Sequence, residues 1–288
     1  MDTNKALIIS VFGLLATVAS VIGSDTAYNA RVVKLQVPAE LPSIEPGDFL
    51  SGLISGGQAV NANDIPYIVG VINQVSLTTR WCAGSLISMH FVLTAASCFT
   101  SDSTSVTVYL GASNMTDIAD IVSADALIIH DGFYPGINTN DIALLRLNRA
   151  VFPTPRVRPV RLPNLRQMGS LFTNQIGAMS GWGSQHVNSP EMFPLNELRR
   201  VFLPLMDNEV CLERFPGLIT DNHICAAADI GSPCQGDYGG PLTVPDPDGG
   251  TTQVGIFRFS QIMDVALVGP RCSRGLLPTY SGSNETRM

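Results

Sequence analysis

Apolar residues fall into three regimes along the chain. Lys5 precedes the unbroken run ALIISVFGLLATVASVIG, after which Ser24 and Asp25 turn polar. Residues 24–53 carry Pro38, Pro42 and Pro46 and no helical period, so PAELPSIEPGDF reads as extended and poorly packed. From Ile54 onward, short alternating runs recur: PYIVGVINQVSL, SVTVYLGA, ADALIIH, DIALLRL and TQVGIFRF. Clusters of Gly, Pro, Asn and Asp separate them. Short strands at this spacing predict an all-β sandwich or barrel. DNEVCLERF (207–215) is the one clear helical candidate, with Asp207 or Asn208 placed to cap it.

The first regime has the form of a secretory leader, residues 1–23, with small residues suited to cleavage after Ser20 or Gly23. A membrane anchor is the other reading of a run only just long enough to span a bilayer. Residues 24–53 then form a pro-segment, and residues 54–288 the folded domain. Charged residues make up 14 % of the 288, and the net charge is −7. No Lys/Arg stripe appears, which argues against nucleic acid and an acidic membrane surface as partners. Six cysteines in an exported chain predict three disulfides. No Cys-x-x-Cys occurs and no cysteine has a histidine at zinc-ligand spacing, so no metal is expected. Asn114-Met-Thr116 and Asn284-Glu-Thr286 are acceptor sequons for N-glycosylation.

Six stretches carry more specific information: ISGG (54–57), LTAASC (93–98), DIALL (141–145), GWG (181–183), TDNHICA (220–226) and CQGDYGGP (234–241). In this order and spacing they resemble the trypsin/chymotrypsin-like serine protease family, from residue 54 to about 280. The resemblance implies two six-stranded antiparallel β-barrels with the active site between them, and one short helix in the second half. It pairs Cys82–Cys98, Cys211–Cys225 and Cys234–Cys272. It also implies oxyanion-hole amides at Gly236 and Tyr238, and a pocket bounded by Ser232 and Ser260.

The same resemblance exposes a departure. In this family a histidine takes the proton of a serine, and a buried aspartate orients that histidine. Ser97 stands at the histidine position and Tyr238 at the serine position; Asp141 alone matches. A hydroxyl cannot act as a base near neutral pH, and a phenol with a pKa near 10 stays protonated. The expectation is therefore a secreted, non-catalytic homologue that binds: a decoy, cofactor or adaptor in an extracellular protease pathway. Its expected partner is an extracellular protein, a protease or its substrate, met as a monomer without a cofactor. A weak or unconventional endopeptidase of chymotrypsin-like activity is the alternative, with His90, His130, His186 or His223 as base. A decayed copy without function is a third.

Three further positions refine the picture. Arg258 stands where the family has a small serine beside the aspartate. It either reaches Asp141 through the space the histidine left, or points to solvent. For activation, the resemblance pairs a freed Ile54 ammonium with Asp237, but Leu53 precedes the cut, so a trypsin-like activator would not make it. The apolar stretch QIMDVALVGPR (261–271) reads as a longer surface loop or as a partner-binding surface.

Overall fold

The run IVGVINQV has no clean alternation because both of its faces are buried. Val69 and Val71 point into one apolar core, while Ile68 and Ile72 join another cluster with Trp81, Tyr109, Trp182 and Leu198. A strand buried on both sides must come from a layer packed from within and from without. The structure, a computed structural model, describes residues 6–10, 30–40, 54, 56–76, 78–135, 140–167, 169–183, 197–217, 219–228, 231–233 and 236–259.

In chain order the strands are β1 (Ala6–Ser10), β2 (Ala30–Lys34), β3 (Gln58–Ala59), β4 (Ile68–Val75), β5 (Thr78–Ser88), β6 (Phe91–Thr94) and β7 (Ser103–Leu110). They continue as β8 (Asp120–His130), β9 (Ala143–Leu147), β10 (Ile176–Gly181), β11 (Arg199–Met206), β12 (His223–Ala227), β13 (Pro241–Pro245) and β14 (Thr251–Phe259). Helix α1 spans Asn208–Arg214; Asp207 caps it by accepting from the Glu209 amide at 3.0 Å.

Strands β4, β5, β6, β9, β8 and β7 close into an antiparallel barrel through the β8–β9 and β4–β7 pairings. Strands β10, β13, β14, β1, β12 and β11 form the second sheet, which closes through β10–β11. The expected two-barrel, all-β architecture is what the chain adopts. The second ring contains an element the sequence does not announce as a strand: β1, from the apolar N-terminal run, pairs antiparallel with both β12 and β14. The helix follows expectation, and β11 is a strand that the runs singled out in the sequence do not include. Val201, Leu203 and Leu205 are buried, whereas Phe202 and Pro204 face out, the period of a half-buried strand.

Between the barrels lies an aromatic seam. Trp81 meets Trp182 edge-on at 5.7 Å and Tyr109 at 6.3 Å. Gly70 on β4 leaves the room, since a Cβ there would fall on the Trp81 ring. Of the stretch 24–53, the described residues 30–40 differ from the loosely packed reading. Residues 30–40 are extended, but β2 is hydrogen-bonded along β8, and Leu35 is buried in the core of the first barrel.

Cys82–Cys98 and Cys211–Cys225 are both formed, as the resemblance implied. Cys234 and Cys272 lie outside the described residues. With sequence separations of 16 and 14 residues, each closed loop contributes about 3 kcal/mol by restricting the unfolded chain. Replacing Cys82 and Cys98 together by Ser is expected to lower the free energy of unfolding by about 3 kcal/mol, read by urea titration; a loss below about 1 kcal/mol would contradict this.

Candidate functional site

Strand β6 ends at Thr94 and runs through Ala95 into a single 3₁₀ turn, Ala96–Cys98. The first amides of such a turn have no partner within it. That of Ser97 donates to Asp141 Oδ1 at 2.6 Å. Asp141 lies just before β9 and is fully buried. Its second oxygen, Oδ2, accepts from Arg258 Nε at 3.0 Å. Arg258 is itself buried and stands on β14, so the ion pair runs from one barrel to the other. Of the two placements the sequence allows, Arg258 takes the inward one.

Desolvation pulls the Arg258 guanidinium below its ordinary range, and the Asp141 charge partly offsets this. An arginine starts so far above neutrality that the group stays charged. The carboxylate thus holds a backbone donor on one oxygen and a full cation on the other, which is how a buried charge is tolerated.

The loop at 236–240 is tied to both barrels. Ala83 N on β5 donates to Tyr238 O at 2.9 Å. Gly239 N donates to Phe257 O at 2.8 Å, and Phe257 N to Gly240 O at 2.7 Å. Gly239 has φ +83°, and a Cβ there would fall on Thr94 Oγ1, so the site demands glycine. This contact sets the loop directly against the segment that leads to Ser97. The Tyr238 ring packs against the cores of both barrels and stacks on Phe257, with centroids 5.4 Å apart and planes 2° from parallel. Burial, aided by the neighbouring Asp237 charge, pushes the phenol above its usual pKa, so it is neutral at any physiological pH.

The remaining positions marked in the sequence are placed as follows. Asp237 is buried and accepts from Gly183 N at 2.8 Å; a Cβ on Gly181 would overlap its carboxylate. Ile54 is buried in the core of the second barrel. Ser232 is buried, with its hydroxyl donating to Pro233 O at 2.9 Å. Gly236 has φ +90°. Asn114 sits in a solvent-facing turn, where its Oδ1 accepts from Thr116 N at 2.9 Å and Thr116 Oγ1 at 2.7 Å. Leu53, Ser260, Asn284, His186 and residues 261–271 lie outside the described residues. Among the described residues no cluster of His, Cys, Asp and Glu has the form of a metal site.

Three histidines are described. His130 Nδ1 accepts from Gly132 N at 3.0 Å. His223, buried on β12, uses Nδ1 to accept from Thr220 N at 3.0 Å and meets the Thr220 hydroxyl at the same distance. Burial lowers its pKa most, and the Arg258 charge adds to the effect. The backbone amide of His90 is anchored to Ser88 Oγ at 3.2 Å. Among the described residues no histidine hydrogen-bonds to Ser97 or Tyr238. Sequence reasoning does not single out Thr220, nor the docking of residues 30–36; the alternation of Val33, Leu35 and Val37 is the signal for the second.

Two outcomes follow from the ion pair and the buried histidine. Arg258→Met leaves the Asp141 carboxylate uncompensated and is expected to cost about 3–5 kcal/mol of stability, whereas Arg258→Met with Asp141→Asn is expected to cost less than the single change. Additive losses in denaturant titrations would contradict coupling. His223 is held neutral by burial, so its folded pKa lies below the unfolded value of about 6.5. Below that value the unfolded chain binds more protons, and stability must fall with falling pH until the folded pKa is passed. His130, shifted the same way, contributes in the same sense. In His223→Gln the decline in thermal midpoint below pH 6.5 is expected to be shallower; an unchanged profile would show that His223 charges as freely folded as unfolded.

Comparison with known proteins gives the geometry its context. The family model described as Trypsin matches residues 54–266. A collagenase of Hypoderma lineatum is 32 % identical over 202 residues, covering 69 % of this chain and 75 % of its own. A chymotrypsin of Phaedon cochleariae is 28 % identical over 254 residues, covering 86 % and 87 %. Among solved structures, a collagenase superposes with a TM-score of 0.60 at 30 % identity, covering 71 % of this chain and 93 % of that one. The chain belongs to the trypsin-like serine protease family.

Proposed function

We propose that this protein is a secreted, catalytically inert member of the family that acts by binding, as a decoy, cofactor or adaptor in an extracellular protease pathway. The observation that carries the reading is the commitment of Asp141. Both carboxylate oxygens are engaged, one by the Ser97 amide and one by Arg258, in the position where the family's aspartate holds a histidine. A neutral Tyr238 stands where that histidine's serine is expected, with its ring stacked on Phe257. Loss of one such group costs about a million-fold in turnover in an enzyme of related mechanism, and a second loss adds little.

Export is supported by the two formed disulfides, which fit an oxidising compartment. The apolar N-terminal run has the form of a leader. The proteolytic names belong to the relatives, and the binding role is an inference from the altered site. The partner expected from the scaffold is another extracellular protein, a protease or a protease substrate.

An active-site-directed fluorophosphonate tests the reading. The folded protein is expected to take up no label at concentrations that label trypsin completely, and the combined change Ser97→His, Tyr238→Ser, Arg258→Ser is expected to restore labelling. Stoichiometric labelling of the unaltered protein, abolished by heat denaturation, would overturn the proposal.

A further inference from the structure

Residues 30–36 comprise strand β2 (Ala30–Lys34) and two residues beyond it, a placement the sequence pattern alone does not give. β2 pairs antiparallel with β8 in register from Ala30 opposite His130 to Lys34 opposite Ala126. Beyond the strand, Leu35 N donates to Asp125 O at 2.9 Å and Gln36 N to Thr104 O at 3.0 Å, so the segment bonds to β8 and then to β7. The Leu35 side chain is buried in the core of the first barrel and Val33 packs against the same core. Val32 and Val37 are exposed. Main-chain bonds along an edge, with alternate side chains entering a core, are the physics by which a sheet captures an extended peptide.

Two facts make this capture separable from the rest of the chain. The segment docks on the first barrel, whereas Ile54 is buried in the core of the second and β3 pairs with β11. No cysteine precedes Cys82, so no disulfide can tie residues 30–40 to the body. In the chain freed of residues 1–23, a cut between Glu40 and Ile54 therefore leaves β2 held by its hydrogen bonds and by the packing of Val33 and Leu35, among the described residues.

We propose that the β8 edge from Ala126 to His130 is a peptide-binding site, occupied in the uncut chain by residues 30–36 of the same molecule. Cutting between Glu40 and Ile54 turns that occupancy from intramolecular to exchangeable. The ligand class is an extended peptide with apolar residues two apart, as Val33 and Leu35 are. In the uncut chain the tethered segment acts at an effective concentration on the order of millimolar, which excludes a competitor at micromolar levels. After the cut the competitor meets the fragment on equal terms. The proposal is independent of whether the protein is an enzyme. It does rest on removal of the leader, which also takes β1 out from between β12 and β14. N-terminal sequencing of the secreted protein and circular dichroism of the chain beginning at Ser24 check this separately from peptide binding, and failure of that chain to fold would overturn the proposal.

The test uses the secreted chain, beginning at Ser24, with a site for a sequence-specific protease placed within residues 46–52, and a fluorescent peptide of residues 28–40. The cut protein, freed of its fragment by dilution and gel filtration, is expected to bind the peptide about a hundredfold more tightly than the uncut protein. The same peptide carrying Leu35→Asp is expected to bind neither form. Uncut protein carrying Leu35→Asp is expected to bind the unaltered peptide as the cut form does. Circular dichroism confirms that each body remains folded, and a body that unfolds once the fragment leaves would show the segment to be an integral strand and overturn the proposal. Equal binding by cut and uncut protein, or no loss on Leu35→Asp in the peptide, would overturn it as well.

Discussion

The floor of the cleft is fixed by one charge that has nowhere to go. Asp141 is buried, and its two carboxylate oxygens are engaged by the Ser97 amide and the Arg258 guanidinium. The two charged groups come from different barrels. Any motion that parts the barrels at this point must strand a carboxylate and a guanidinium together in an apolar setting. The ion pair is therefore a latch as well as a neutralisation.

Everything adjacent conforms to that latch. Phe257 precedes Arg258 on β14; it exchanges backbone hydrogen bonds with Gly239 and Gly240 and offers its ring to Tyr238. The tyrosine carbonyl is bound in turn by Ala83 of the first barrel. Ala83 follows Cys82, whose disulfide closes on Cys98, the residue after Ser97. The path from Tyr238 back to Asp141 thus runs through backbone bonds, one disulfide and one ion pair. At a second seam Trp81 meets Trp182 edge-on across the barrels.

Much of this is legible in the residues themselves. DIALL and GDYGGP mark Asp141 and Tyr238, and the mismatch between them and the family pattern raises the question that Arg258 answers. The capping Asp207 is legible because it is local. Other features are not. Arg258 faces Asp141 across a sequence separation of 117 residues, and only the closure of two barrels decides between an inward and an outward guanidinium. The prolines of 24–53 suggest loose chain because β2 gains its order from β8, a partner that local pattern does not reveal. The N-terminal run has the form of a leader on its apolarity alone; its pairing with β12 and β14 joins residues more than 200 apart in sequence, which local pattern does not reveal.

The buried pair is tested most directly by nitrogen-15 NMR of the arginine Nε–H groups. Arg258 Nε–H, donating to Asp141 in a site closed to water, is expected to give a sharp, downfield resonance that exchanges slowly with solvent and disappears in Asp141→Asn. A resonance for Arg258 that exchanges as fast as those of exposed arginines, and is indifferent to the aspartate, would contradict the account.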